Sequence, residues 1–184
     1  MDTIMITPLV GIGPFRLGMS REEVEQIFKS LNNWRADDSI SVNPSYIEMM
    51  FMWEHFEYDS NDRVKFIELI NPRYSGQFYI PCLYQGVDIF TTKVEDLIHS
   101  LRQEYPMVGD DDPRTGFSFT IQELELNFWR EGIMNDEIIK DPFFLEMSEE
   151  NQELEKRYFY FTTVSIGVSG YFDFMDNDLT DSPG

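Results

Sequence analysis

Ser20-Arg21-Glu22-Glu23-Val24-Glu25-Gln26-Ile27-Phe28-Lys29-Ser30-Leu31 is the stretch on which the fold turns. Ser20 followed three positions later by Glu23 is a capping-box pattern, which marks a helix start. Val24, Ile27, Phe28 and Leu31 then recur at helical spacing, so one face of the helix is apolar. A second stretch repeats the theme: Thr92 precedes Glu95 by three positions, and Val94, Leu97, Ile98 and Leu101 form the same stripe. Glu25 and Glu95 fall at matching places. Short apolar segments, Phe15 to Met19 and Gly86 to Phe90, lead into the two helices. Two capped amphipathic helices of any origin share such a stripe, so coincidence and internal duplication both account for the likeness.

Strands are expected after each helix. Tyr46 to Trp53 is apolar and aromatic, and His55 to Asp59 and Arg63 to Ile70 flank the turn signal Ser60-Asn61-Asp62. Further on, Gly116 to Ile121 and Leu124 to Arg130 read as a hairpin. Tyr158 to Val168 reads as a central strand, with Tyr158, Phe159, Tyr160 and Phe161 alternating between faces. These expectations give an α+β fold: antiparallel sheets with packed amphipathic helices. The chain reads as a single domain over 1–184, with pseudo-repeated halves 1–80 and 81–172 and an acidic tail 173–184.

Charge sets the functional question. Thirty-four acids against fourteen Lys and Arg give a formal net charge of −20. That excess exceeds what solubility needs and costs stability through self-repulsion. It is uneven: residues 104–184 carry 19 acids and 5 bases. Much of it lies from Glu131 to Glu155, an insertion between strands far longer than an ordinary connection of about 4–6 residues. Asp141-Pro142 starts a helix there, and Phe143 to Leu154 reads as a short acidic helix. The tail adds Asp176, Asp178 and Asp181.

The charge argues against nucleic acid and anionic membranes as partners. The amino terminus carries Asp2 where a signal peptide needs bases, and its apolar run is broken by Pro8. No stretch approaches the roughly 20 apolar residues of a membrane span, so a cytoplasmic protein is expected. Cys82, the single cysteine, sits in an apolar run as an inert thiol.

Catalytic and cofactor motifs are weak. Gly11-Ile12-Gly13-Pro14-Phe15-Arg16-Leu17-Gly18 has the wrong spacing for a phosphate loop, loses a donor at Pro14 and lacks the following Lys. A turn feeding a short strand is the better reading. His55 and His99, the only histidines, are 44 positions apart and have no zinc-ligand spacing. His99 follows Ile98 on the second helix and reads as a half-exposed face residue. Asp110-Asp111-Asp112 and Asp176-Asn177-Asp178 do not continue into a calcium loop. No metal and no cofactor are expected.

What remains is recognition. Asp110, Asp111, Asp112, Glu131, Asp136, Glu137 and Asp141 are the candidate acidic contacts, and Trp129 beside Arg130 is the candidate anchor, since Trp and Arg dominate interfaces. The competing reading puts Trp129 in the core and pairs Arg130 with a nearby acid.

Leu17-Gly18-Met19-Ser20-Arg21-Glu22-Glu23-Val24, together with Gly11 to Arg16 before it, is one familiar patch. Asn127-Phe128-Trp129-Arg130 with Phe161 to Gly167 and Gly170-Tyr171 is another. Together they resemble small bacterial proteins of the immunity type, which neutralise toxin domains of contact-dependent inhibition and other polymorphic toxin systems. The first phrase also occurs in outer-membrane assembly lipoproteins and β-lactamase-inhibitor repeats, but this chain lacks the lipobox Cys and signal peptide of the former. The resemblance implies a class, inhibitors of protein toxins, and the charge agrees with it. A non-catalytic protein that binds a basic protein toxin is expected, with a nuclease domain, an RNase first, favoured; its oligomeric state is open, with a monomer favoured. A peptide-binding adaptor and a carboxylate-based hydrolase are the alternatives.

Overall fold

In β1 (Ile4–Thr7) buried and exposed residues alternate strictly, with Ile4 and Ile6 turned inward. The computed structural model describes residues 3–33, 55–71 and 80–174. The expected strand over Tyr46 to Trp53 and the tail residues Asp176, Asp178 and Asp181 lie outside them. Strands β2 (Gly11–Ile12) and β3 (Phe15–Arg16) pair with Ile12 opposite Phe15. Gly13 takes φ 57° at the first corner between them, with Pro14 at the second. That is the geometry of a tight hairpin turn, in which a side chain at position 13 would be strained. The segment with a superficial likeness to a phosphate loop is thus a hairpin.

Helix α1 (Arg21–Asn33) begins where the capping box places it. The Ser20 N–H donates to Glu23 Oε2 at 2.7 Å, and the Glu23 N–H donates to Ser20 Oγ at 3.3 Å. Val24 and Phe28 are buried. Phe28 meets Phe15 and Phe56 in a ring cluster with centroids 4.9–6.0 Å apart. Hairpin β4 (Phe56–Tyr58) and β5 (Val64–Ile70) follows. Asp59 Oδ1 holds its turn by accepting from the N–H groups of Asn61 and Arg63.

A second hairpin, β6 (Cys82–Tyr84) and β7 (Val87–Asp88), leads to α2 (Val94–Leu101). Val94, Leu97, Ile98 and Leu101 are all buried, as the stripe predicts. The start differs. The helix opens at Val94 after Lys93, without a side-chain cap, and Thr92 donates instead to the Asp88 carbonyl. The Thr92–Glu95 spacing matches a capping box, but the Thr92 hydroxyl is already committed to the preceding turn. His99 is exposed. Cys82 is fully buried, and burial pushes its thiol above the usual cysteine range.

Strands β8 (Val108–Gly109), β9 (Ser118–Ile121), β10 (Leu126–Trp129) and β11 (Thr163–Gly167) complete the sheets. One sheet has the order β3-β2-β1-β6-β7 and the other β4-β5-β11-β10-β9-β8. All pairs are antiparallel except β1 with β6, which run parallel. Strands from before and after residue 80 enter both sheets, meeting at β1/β6 and at β5/β11. One buried cluster runs from Ile4 to Ile166.

Strand β11 is shorter than the expected Tyr158 to Val168. Lys156 to Phe159 form a 3₁₀ turn that continues from the preceding helix and turns Phe159 into a separate cluster. In β11 every residue is buried, and the register explains both faces. Val164 lies opposite Leu69 and Phe128, and Ile166 opposite Ile67 and Leu126. Thr163 and Ser165 line the other face, opposite Ile70 and Glu68 of β5 and Trp129 and Asn127 of β10.

Candidate functional site

The loop from Asp110 to Gly116 is built on two guanidinium groups. Arg130, 0% exposed, donates from Nε to the Gly116 carbonyl and from Nη2 to the Pro113 carbonyl, both at 2.8 Å. Its Nη1 has no hydrogen-bond partner. Arg102, at the end of α2, donates to the carbonyls of Asp110 (2.8 Å) and Asp111. The loop closes on itself through Asp110, whose Oδ2 accepts from the N–H groups of Phe117 and Ser118. Gly116 must be glycine here, because a Cβ would lie 2.4 Å from Asp110 Cβ.

Arg130 and Trp129 therefore exchange the places of the core reading. Arg130 is inside, paired with carbonyls rather than an acid, while Trp129 is 39% exposed. Strand alternation is the reason: Phe128 faces the core, so Trp129 shares the opposite face with Asn127. Asn127 donates to Ser118 Oγ and Thr120 Oγ1 on that face. Burial lowers the Arg130 pKa, and Glu95, Asp110 and Asp112 counteract it electrostatically. Three negative groups at a distance thus help hold one buried cation.

The acids divide into engaged and unengaged groups. Asp112 accepts a forked pair of bonds from Arg114, which holds its carboxyl below the ordinary range, and the Arg114 backbone N–H adds to this. Asp136 pairs with Lys93 at 2.7 Å, which likewise lowers its pKa. Glu131 lies 3.5 Å from Arg157. Asp141 caps α3 (Pro142–Leu145), accepting from the Phe143 N–H at 2.8 Å. Asp111 and Glu137 are exposed, and neither carboxylate has a hydrogen bond or ion pair among the described residues.

Several of these come together. Asn135 donates to the Arg114 carbonyl at 3.4 Å, tying the turn at 135–137 to the loop at 110–116. Arg114 feels Asp112, Glu137 and Glu95. The start of α2, the loop and the turn therefore form one acidic face. Asp141 belongs to a different part, the body of the insertion. That body has its own small core of Met134, Phe144 and Phe159.

The single acidic helix expected over Phe143 to Leu154 is two helices, α3 and α4 (Glu149–Glu155). Ser148 interrupts them by accepting from the Asn151 N–H, which starts a new helix. The break leaves large apolar groups outside: Phe143 is 73%, Leu145 59% and Leu154 51% exposed. Residues 131–157 carry nine acids and three bases.

Three features escape the sequence reading. His55 Nδ1 lies against Glu68 Oε1, both half-buried, because Phe56 opposite Ile67 places 55 beside 68. The hairpin register was the available signal. Glu125, buried at a left-handed position, accepts from the N–H groups of Gly170 and Phe172 and pins the chain after β11. Lys93, Lys156 and Arg157 converge on one cleft, from segments 63 positions apart.

Among the described residues, no cluster of three or more His, Cys, Asp or Glu side chains is placed to hold a metal. No helix among them is long and apolar enough to cross a membrane. Compared with family models, curated proteins and solved structures, the chain matches none.

Proposed function

We propose that this protein is an inhibitor of the immunity type, which neutralises a basic toxin domain by binding it through the acidic face and the inserted segment. The single observation that carries this reading is the exposure of Phe143, Leu145 and Leu154 within the most acidic part of the chain. A merely solubilising acidic surface has no use for exposed aromatic and aliphatic side chains. An interface needs both kinds of group: apolar anchors that lose water on contact, and charges that select the partner.

The partner's chemistry follows from the charge. A nuclease presents Lys and Arg to phosphate, so its working face is cationic. Carboxylates such as Asp111 and Glu137, which have no hydrogen bond or ion pair among the described residues, are available to meet those cations in place of phosphate. Long-range attraction raises association toward about 10⁸–10⁹ M⁻¹s⁻¹ at low salt, which suits capture of a toxin before it acts. Asp110 and Asp112 supply field rather than contacts, since their carboxylates are committed to the loop.

The test is titration of the full chain against a cationic ribonuclease domain, foremost one encoded beside its gene, at low and high salt. We expect a complex that abolishes RNA cleavage at equal molar ratio and weakens as salt rises. The absence of a complex with the neighbouring domain, or an affinity indifferent to salt, overturns the reading.

A further inference from the structure

The chain's cations are scarce, yet three of its fourteen Lys and Arg line one cleft of ≈ 410 Å³. Lys93, at the start of α2, forms one wall. Lys156, Arg157, Phe159 and Tyr160, where the insertion returns to the body, form the other. Among the described residues, Glu153 is the only carboxylate of the lining. The lining is therefore positive in a chain whose net charge is −20.

We propose that this cleft binds a small molecule through a phosphate group, which Lys93, Lys156 and Arg157 contact together. The volume is that of a small-ligand site rather than of a protein interface. Arg157 supplies a guanidinium, whose Nη2 already donates to the Tyr158 hydroxyl at 2.5 Å, and the two lysines supply point charges. Phe159 already accepts a cation on its ring, with Lys93 Nζ 4.5 Å from the centroid, so it fixes Lys93 against the cleft wall. Each cation also has a carboxylate neighbour: Asp136 for Lys93, Glu153 for Lys156 and Glu131 for Arg157. These pairs are partly exposed, with 39–43% of each cation's side-chain surface accessible. Exposed pairs of this kind contribute little. One phosphate touching three cations competes with these three carboxylates at once.

The experiment is calorimetric titration of the full chain with inorganic phosphate and with adenosine monophosphate. Adenosine serves as the arm without phosphate. Lys156→Gln is the diagnostic variant, because Lys156 is partly exposed and, among the described residues, its ion pair is with its helical neighbour Glu153. Lys140→Gln makes the same charge change in the same insertion, outside the cleft. We expect saturable binding of both phosphate probes and none of adenosine. Lys156→Gln should weaken it by about tenfold or more, the loss of one charge-assisted contact, and Lys140→Gln should bind like the parent chain. Circular dichroism checks that both variants are folded. No saturable binding of either phosphate probe, undiminished binding by Lys156→Gln, or equal weakening by the two variants overturns the proposal.

Discussion

Arg130 holds the carbonyl of Gly116 at 2.8 Å from a position with no exposure to solvent. The same guanidinium holds Pro113, so one side chain ties the end of β10 to a loop seven residues long. Two effects oppose each other. Burying the charge costs desolvation, which is why the pKa falls. Removing it strands the buried Gly116 carbonyl and the partly buried Pro113 carbonyl, and an unmet buried acceptor costs about 1–3 kcal/mol. The second effect should win, because distant carboxylates already offset part of the first. We expect Arg130→Met to destabilise the protein by about 2 kcal/mol or more in urea unfolding. Amide exchange at Phe117 and Ser118 should quicken. A neutral or stabilised variant would show that charge burial dominates.

Gly116→Ala tests the same loop from its other side. The new methyl would meet Asp110 Cβ at 2.4 Å, the Phe119 ring at 2.7 Å and the Asp112 carbonyl at 3.0 Å. Two of these neighbours are held, Asp110 by its bonds to Phe117 and Ser118 and Phe119 by the core. Overpacking of this kind costs about 1–3 kcal/mol. We expect a loss in that range by thermal unfolding. An unchanged melting temperature would mean that the loop shifts freely.

The sequence carries the fold further than the site, and the reason is the range of the forces. Helix stripes and hairpin turns are local, so Val94, Leu97, Ile98 and Leu101 are legible from spacing alone, as is the turn at Asp59 to Asp62. The parallel β1/β6 pair joins residues about 78 positions apart, which no local rule reaches. The strand expected at Tyr158 was lost to helix continuation, since α4 runs on into the 3₁₀ turn. At the site, acid-rich segments were visible as composition. Which carboxylates are spent internally was not. That depends on Arg114, Lys93 and backbone N–H groups brought near by tertiary packing. The inversion of Trp129 and Arg130 had a local signal, the alternation after Phe128, against the general tendency of Trp to be buried and Arg exposed.

The capping box at Ser20 and Glu23 predicts a pH-dependent contribution. The Ser20 backbone N–H, then its hydroxyl, then Arg63 hold the Glu23 carboxyl below its ordinary value of 4.5. A depressed folded-state value means that the contribution is fully present above pH 4.5 and is lost as pH falls through the folded value. We expect Glu23→Gln to be less stable than the parent chain at neutral pH, with the difference vanishing on acidification. Ser20→Ala should cost about 1 kcal/mol at neutral pH. A Glu23→Gln penalty that persists unchanged in acid would place its origin outside the carboxylate.

Phe143 separates interface from fold. Its side chain is largely in solvent, and α3 depends instead on the Asp141 cap and the buried Phe144. Phe143→Ser should therefore leave unfolding free energy within about 0.5 kcal/mol of the parent. If the insertion is the toxin-binding surface, the same change should slow nothing in association and speed dissociation. It should lower affinity by about tenfold or more, as loss of an apolar anchor does. Neutralising Glu146, Glu149, Glu150 and Glu153 should do the converse: association slows and the salt dependence flattens. Surface plasmon resonance against the cationic partner reads both rates. The contrast matters more than either loss. Neutralising four acids within residues 1–103 should change association less, because the field at the contact is set by nearby charge at physiological screening. Equal slowing by the two sets would mean that the acid excess steers from the whole surface, and that the insertion is not the docking face.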